Sequence, residues 1–114
     1  MLPIGAGSIY LYHGAVDMRR SFDGLSALVE SAFPGQLLTG SVFVFVNRRR
    51  NLLKLLYWDT DGLAQWYKRL ESGTFRVAPD GKSELSRREF VLLLEGIKPK
   101  HMSRRFSLDK KASV

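Results

Sequence analysis

Val42-Phe43-Val44-Phe45-Val46-Asn47-Arg48-Arg49-Arg50-Asn51-Leu52-Leu53-Lys54-Leu55-Leu56-Tyr57-Trp58 is the stretch that decides the fold. Its opening run, Val42 to Val46, is entirely β-branched and aromatic, the residue types that suit a pleated surface. Leu52 to Trp58 is a second strand candidate. The polar residues between them, Asn47 to Asn51, include side chains that tolerate unusual backbone angles. An antiparallel hairpin over about 42–58 follows. Alternation sends Leu53, Leu55 and Tyr57 to one face of the second strand and Leu52, Lys54, Leu56 and Trp58 to the other. Two largely apolar faces predict a strand covered on both sides, or covered on one and used for contacts on the other.

Upstream, Ile9-Tyr10-Leu11-Tyr12 is a short β-prone run bounded by Gly5, Gly7 and Gly14. Phe22, Leu25, Leu28, Val29, Ala32 and Phe33 recur at spacings of three and four and predict a helix over about 21–33. Asp17 or Ser21 is the candidate cap, and Pro34-Gly35 ends the pattern. Gly24, which costs about 1 kcal/mol against alanine, leaves the first turn open to irregularity.

Downstream, Leu63, Trp66, Tyr67 and Leu70 fall at positions 0, 3, 4 and 7, which predicts a helix over about 61–71. Asp59-Thr60-Asp61-Gly62 would cap it, Lys68 and Arg69 would suit its C-terminal dipole, and Gly73 would stop it. Thr74-Phe75-Arg76-Val77 reads as a strand, Pro79-Asp80-Gly81 as a turn and Glu84-Leu85 as a last strand stub. Ser86-Arg87-Arg88-Glu89 has capping-box spacing. Phe90, Leu93, Leu94 and Ile97 repeat the same stripe, giving a helix over about 86–97 closed by Gly96 and Pro99. The expected architecture is α+β: a small, mainly antiparallel sheet with a central β-hairpin and three short helices.

The 114 residues suffice for one domain, placed at 1–97, followed by a basic, flexible tail at 98–114. The tail holds Lys98, Lys100, Arg104, Arg105, Lys110 and Lys111 against Asp109, a balance of +5 out of the total +7. A basic tail is an electrostatic handle on nucleic acid through counterion release, or simply a solubilising terminus. No cysteine is present, which excludes disulfides and thiolate chemistry. Apolar runs are far short of the roughly 20 residues that span a bilayer. Met1-Leu2-Pro3-Ile4-Gly5 lacks the features of a signal peptide. The expectation is a cytoplasmic protein without a membrane partner.

Catalytic readings find little support. Asp59 and Asp61, with Asp17, Asp23, Glu71 and Glu95 elsewhere, do not form a pattern that converges on a metal pair, and read more simply as caps and solvated acids. His13 and His101 are far apart, with no ligand-spaced partner. Gly5-Ala6-Gly7 precedes the first strand, where a dinucleotide loop would follow it. No catalytic residue, metal site or cofactor is expected. Arg48, Arg49 and Arg50 at the hairpin tip, with Lys54 leaving the same loop, are the best candidate contacts, since guanidinium forks bind phosphate oxygens. The plainer reading is a solvated turn that discourages edge aggregation. Arg19 and Arg20 come next, because two arginines at a helix N-terminus oppose its dipole. Tyr57, Trp58, Trp66 and Tyr67 are aromatic enough to stack on bases, but their spacing makes them core residues first. Trp58 alone is a candidate for exposure.

Several motifs taken in order carry a family resemblance. They are Asp17-Met18-Arg19-Arg20-Ser21-Phe22-Asp23-Gly24-Leu25, Phe43-Val44-Phe45-Val46-Asn47-Arg48-Arg49, Lys54-Leu55-Leu56-Tyr57-Trp58-Asp59-Thr60-Asp61-Gly62, Tyr67-Lys68-Arg69-Leu70-Glu71-Ser72-Gly73-Thr74-Phe75 and Leu92-Leu93-Leu94-Glu95-Gly96-Ile97. Over roughly residues 9–97 the chain resembles the small TnpB-type accessory protein encoded by the second open reading frame of the IS sixty-six family of insertion sequences. The resemblance implies a role in DNA transposition beside a separate, larger transposase and another element-encoded protein. It supplies no catalytic residues.

The expected function is therefore a non-catalytic factor that helps assemble transposase on insertion-sequence ends. Arg48, Arg49, Arg50, Lys54, Arg19, Arg20 and Trp58 would touch DNA or a partner, and the tail lysines and arginines would add nonspecific attraction. The alternatives are a protein-interaction module that binds the transposase or a second copy without touching DNA, and, further off, a small metal-dependent nuclease.

Overall fold

In the computed structural model, which describes residues 7–77 and 81–95, five strands form one mixed sheet. They are β1 (Ile9–Leu11), β2 (Val42–Val46), β3 (Leu52–Asp59), β4 (Gly62–Arg69) and β5 (Glu84–Leu85), in the order β4-β3-β2-β1-β5. β1 and β2 pair in parallel, and the other three pairings are antiparallel. A parallel pair needs a crossover, and helix α1 (Phe22–Ala32) supplies it. Helix α2 (Arg87–Leu94) follows β5.

The alternation of β2 explains why the sheet is covered on both sides. Val42, Val44 and Val46 face a core with Leu53, Leu55, Phe75, Phe90 and Leu93. Phe43 and Phe45 face a second core with Val16, Leu25, Val29 and Leu56. Helix α1 packs over the second face and α2 over the first. Tyr10, Phe33 and Phe43 stack under α1, with ring centroids 4.9–5.8 Å apart. The expected capping box closes α2: Glu89 N–H donates to Ser86 Oγ, and Ser86 N–H to Glu89 Oε1. Ser21 is the N-cap of α1 without capping it by its side chain. Its hydroxyl accepts from Gln65 Nε2 at 2.8 Å instead, which ties the helix start to β4.

One expected helix does not exist. Residues 62–69 form β4, paired along its whole length with β3. The 0, 3, 4, 7 spacing fits both periods. On a strand, positions 0 and 4 share one face and positions 3 and 7 the other. Leu63 accordingly packs on the α1 side, and Trp66 and Leu70 pack on the α2 side. A two-sided sheet can bury both sets, and the β-rich content of Trp66 and Tyr67 suits it. Lys68 does meet a helix C-terminus, but that of α2, where its Nζ donates to the Leu94 carbonyl at 2.9 Å. Residues 74–77 are not a strand: they run as irregular chain with Phe75 fully buried. Pro79-Asp80, the closure at Gly96 and Pro99, Ile97, His101 and the tail from 98 lie outside the described residues.

Asp59-Thr60-Asp61-Gly62 turns β3 into β4 rather than capping a helix, with Asp59 paired to Gly62. Thr60 takes φ +58°, and the Asp61 N–H reaches back to the Asp59 carbonyl at 2.5 Å. A β-branched residue at positive φ is strained. Thr60→Gly is expected to stabilise the protein by about 1 kcal/mol, raising Tm by about 4–8 °C in thermal unfolding. A lowered Tm would mean the turn carries no such strain.

Candidate nucleic-acid interface

The hairpin tip is fixed by its own asparagines. Asn47 Oδ1 accepts from the N–H groups of Asn51 and Leu52, and Asn47 Nδ2 donates to Asn51 Oδ1 at 2.9 Å. Arg50 N–H bonds the Asn47 carbonyl, and Arg50 itself takes φ +58°. The tip is also anchored from outside: Phe75 N–H donates to the Arg50 carbonyl at 2.7 Å, and Leu70 N–H to the Asn51 carbonyl at 2.8 Å. The irregular segment after β4 thus has a purpose, since the fully buried Phe75 ties the tip to the core. On this rigid base Arg48, Arg49 and Arg50 are exposed. Their guanidinium groups have no hydrogen bond or ion pair to another described residue.

Residues 12–20 come alongside the tip because they stay bonded to β2 after β1 ends. Tyr12 N–H donates to the Val44 carbonyl and Val16 N–H to the Val46 carbonyl. Two grooves result, one on each side of the tip. The first, about 390 Å³, lies between Tyr12, His13 and Gly14 and the tip residues Arg48 and Arg50. The second, about 770 Å³, is bounded by Val16, Met18 and Arg19, by Arg48 and Arg49, and by Leu52 and Tyr67.

The other expected contact residues occupy different settings. Lys54 is only 6 % exposed. Its Nζ donates to the carbonyls of Met18 and Arg20 at 2.8 and 2.7 Å and lies over the Tyr67 ring, 4.8 Å from the centroid. Burial pushes its ammonium below the ordinary lysine range. It sits inside the fold, pinning the 18–20 turn, instead of projecting from the loop, because alternation along β3 points it to the α1 face beside Leu56. Arg19 grips Asp17, with Nε at 3.0–3.1 Å from both carboxylate oxygens and Nη2 at 2.6 Å from Oδ2. The side-chain and backbone hydrogen bonds from Arg19 hold the Asp17 carboxyl down to about 2. Arg20 is exposed, and its aliphatic stem lies about 3.2 Å from where a Cβ on residue 24 would stand. Trp58 is half-buried near the far end of β3, paired across to Leu63. The hairpin tip, Arg19 and the 12–18 segment come together, and Trp58 stands apart from them.

One aromatic joins the group that sequence reasoning placed in the core. Tyr67 lines the larger groove and is 52 % exposed. A strand reading of residues 62–69 would have put it on the same face as Leu63 and apart from Trp66.

Residues 7–104 match the family described as IS66 Orf2 like protein. The chain belongs to that family. Its members are accessory proteins of insertion-sequence transposition. Two Sinorhizobium fredii proteins are similar: y4jC is 43 % identical over 84 residues, covering 72 % of each chain, and y4hO is 34 % identical over 104 residues, covering 89 % of this chain and 90 % of its own. No solved structure matches. Among the described residues of this family member, no group of three or more histidines and acids is placed to hold a metal ion, and no helix is long and apolar enough to cross a membrane.

Proposed function

We propose that this protein is a non-catalytic transposition factor that binds DNA directly through its hairpin tip and helps seat the transposase on insertion-sequence ends. The observation that carries the reading is the set of three guanidinium groups, unpaired among the described residues, on a tip whose backbone is already fixed. Preorganised forks lose little freedom on meeting phosphates. The basic tail from Lys98 to Lys111 adds nonspecific attraction in this account.

Fluorescence anisotropy with element-end and scrambled duplexes tests the reading. Affinity should fall steeply between about 50 and about 200 mM salt, by more than tenfold if three or more phosphates are engaged. No binding to either duplex, or to their separated strands, at the lower salt would overturn direct contact. The second reading, a protein-interaction module, draws on the outer strand β4, whose eight residues pair only with β3 in the sheet. Capture of the transposase that survives nuclease treatment, without DNA binding by the isolated protein, would favour that module.

Asp17 gives a second test. Asp17→Asn removes a negative charge from the groove wall and frees the Arg19 fork, while the amide oxygen can still accept from Arg19 N–H. Duplex affinity should rise about 2- to 10-fold, and the salt slope should steepen by about one unit. With its pKa depressed to about 2, Asp17 stays ionised at every pH above its ordinary 3.8. The stability this pair contributes is fully present there and is lost as pH falls through about 2. The affinity gain of the variant, measured against the wild type at the same pH, should therefore be the same at pH 5 and pH 8.

A further inference from the structure

We infer that the face around Tyr67 takes an unpaired nucleobase, so that the DNA held by this protein is single-stranded or locally opened where it meets the sheet; the inference rests on the DNA reading above. Tyr67 belongs to a strand bonded along its whole length to β3, yet half of its side chain is open. Helix α1 causes this. Its start reaches β4 at Gln65, through the bond to Ser21, and its core contacts lie with Leu56 and Leu63. Leu52 and Tyr67 lie beyond that point, on the same face, where the helix no longer roofs the sheet.

The ring is already positioned. Lys54, its cross-strand partner, holds an ammonium over it, and two carbonyls lock that ammonium in turn. The groove beside the ring is lined by Val16, Met18 and Leu52 together with Arg48, Arg49 and the Asp17–Arg19 ion pair, whose charges offset each other. A smaller recess of about 370 Å³ shares Leu52 and Tyr67 and runs on to Asn51 and Arg69. The aromatic ring thus lines both recesses, with the exposed Arg48 and Arg49 on the larger one and Arg69, paired with Glu71 at 2.9 Å, on the smaller.

An apolar, aromatic surface beside Arg48 and Arg49 suits a nucleotide whose base is free, with the base on the ring and the phosphates on those two arginines. A duplex cannot use it in that way. Its base faces are covered by neighbouring bases, and only edges reach the grooves. Phosphate contact by the tip alone would serve either form of DNA; the ring adds something for the open form only.

The test is anisotropy of the full chain with labelled oligothymidine and with a duplex of equal length, for the wild type, Tyr67→Leu and Tyr67→Trp. The wild type should favour oligothymidine. Tyr67→Leu, which keeps a large apolar side chain on β4, should weaken oligothymidine binding about 10-fold and duplex binding less than 2-fold. Tyr67→Trp, which keeps a ring, should retain the preference. Equal losses on both DNAs, no loss on either, or loss of the preference in Tyr67→Trp would overturn the stacking site while leaving phosphate contact standing. Failure of the wild type to bind any DNA would overturn the DNA reading, and the stacking site with it.

Discussion

Replacing Arg48, Arg49 and Arg50 together by alanine is expected to lower duplex affinity about 10- to 100-fold at low salt and to reduce the slope of log K against log salt by about 2–3 units. Each phosphate neutralised on B-DNA contributes roughly 0.9 to that slope, so the loss counts the contacts removed. The fold should not suffer. The guanidinium groups have no bonding partner among the described residues, and surface changes of this kind usually fall within about 0.5 kcal/mol. Arg50 keeps its positive φ in the variant, so backbone strain is the same before and after. The Asn47–Asn51 clamp and the bond from Phe75 do not involve the arginine side chains. The triple lysine variant separates charge from geometry. It should retain most of the slope, because counterion release counts charges, but lose affinity, because an ammonium lacks the bidentate fork. An unchanged slope in the alanine variant would take the tip out of the account and leave the tail and Arg20 as the basic contacts.

The sequence was most legible where one period excluded the other. Val42–Val46 cannot form an amphipathic helix, since every position is apolar and β-prone; the hairpin and α1 lie where their patterns put them, and α2 starts where expected but ends at Leu94 rather than at 97. Leu63, Trp66, Tyr67 and Leu70 were ambiguous for a physical reason: the same four positions make a helical stripe or two faces of a strand, and only a sheet with a core on each side can use the second arrangement. That one ambiguity cost both a strand and the exposed aromatic. Phe75 fits a strand pattern because nothing local distinguishes a buried anchor in irregular chain from a ladder residue. The arginine tip was visible as composition, but its freedom from internal pairing depends on which acids the fold brings near. Asp17, which lines the larger groove, is spent on Arg19. Lys54 lies close to the loop in sequence, yet its position between leucines on β3 marks it as a lysine facing the side that α1 covers.

Lys54→Met is the sharpest way to separate these two meanings of a lysine. A surface phosphate contact can be truncated with little effect on stability. A buried ammonium that satisfies two backbone carbonyls cannot. Methionine fills nearly the same volume but leaves the Met18 and Arg20 carbonyls without the donor that now lies within 2.8 Å of each. Hydrogen bonds to a charged donor contribute about 1.5–3 kcal/mol, and an orphaned carbonyl costs about 1–3 kcal/mol. The desolvation that already lowers the Lys54 pKa is relieved, which offsets part of the loss. The net expectation is a destabilisation of about 3 kcal/mol and a Tm lower by about 12–24 °C. Measured well below that Tm, the salt slope for duplex DNA should change by less than one unit, because the ammonium is not presented to solvent. The opposite pattern, an unaltered Tm with a slope reduced by a full unit, would show Lys54 reaching outward to phosphate, and the pinned turn at Met18–Arg20 would then have to be held by something else.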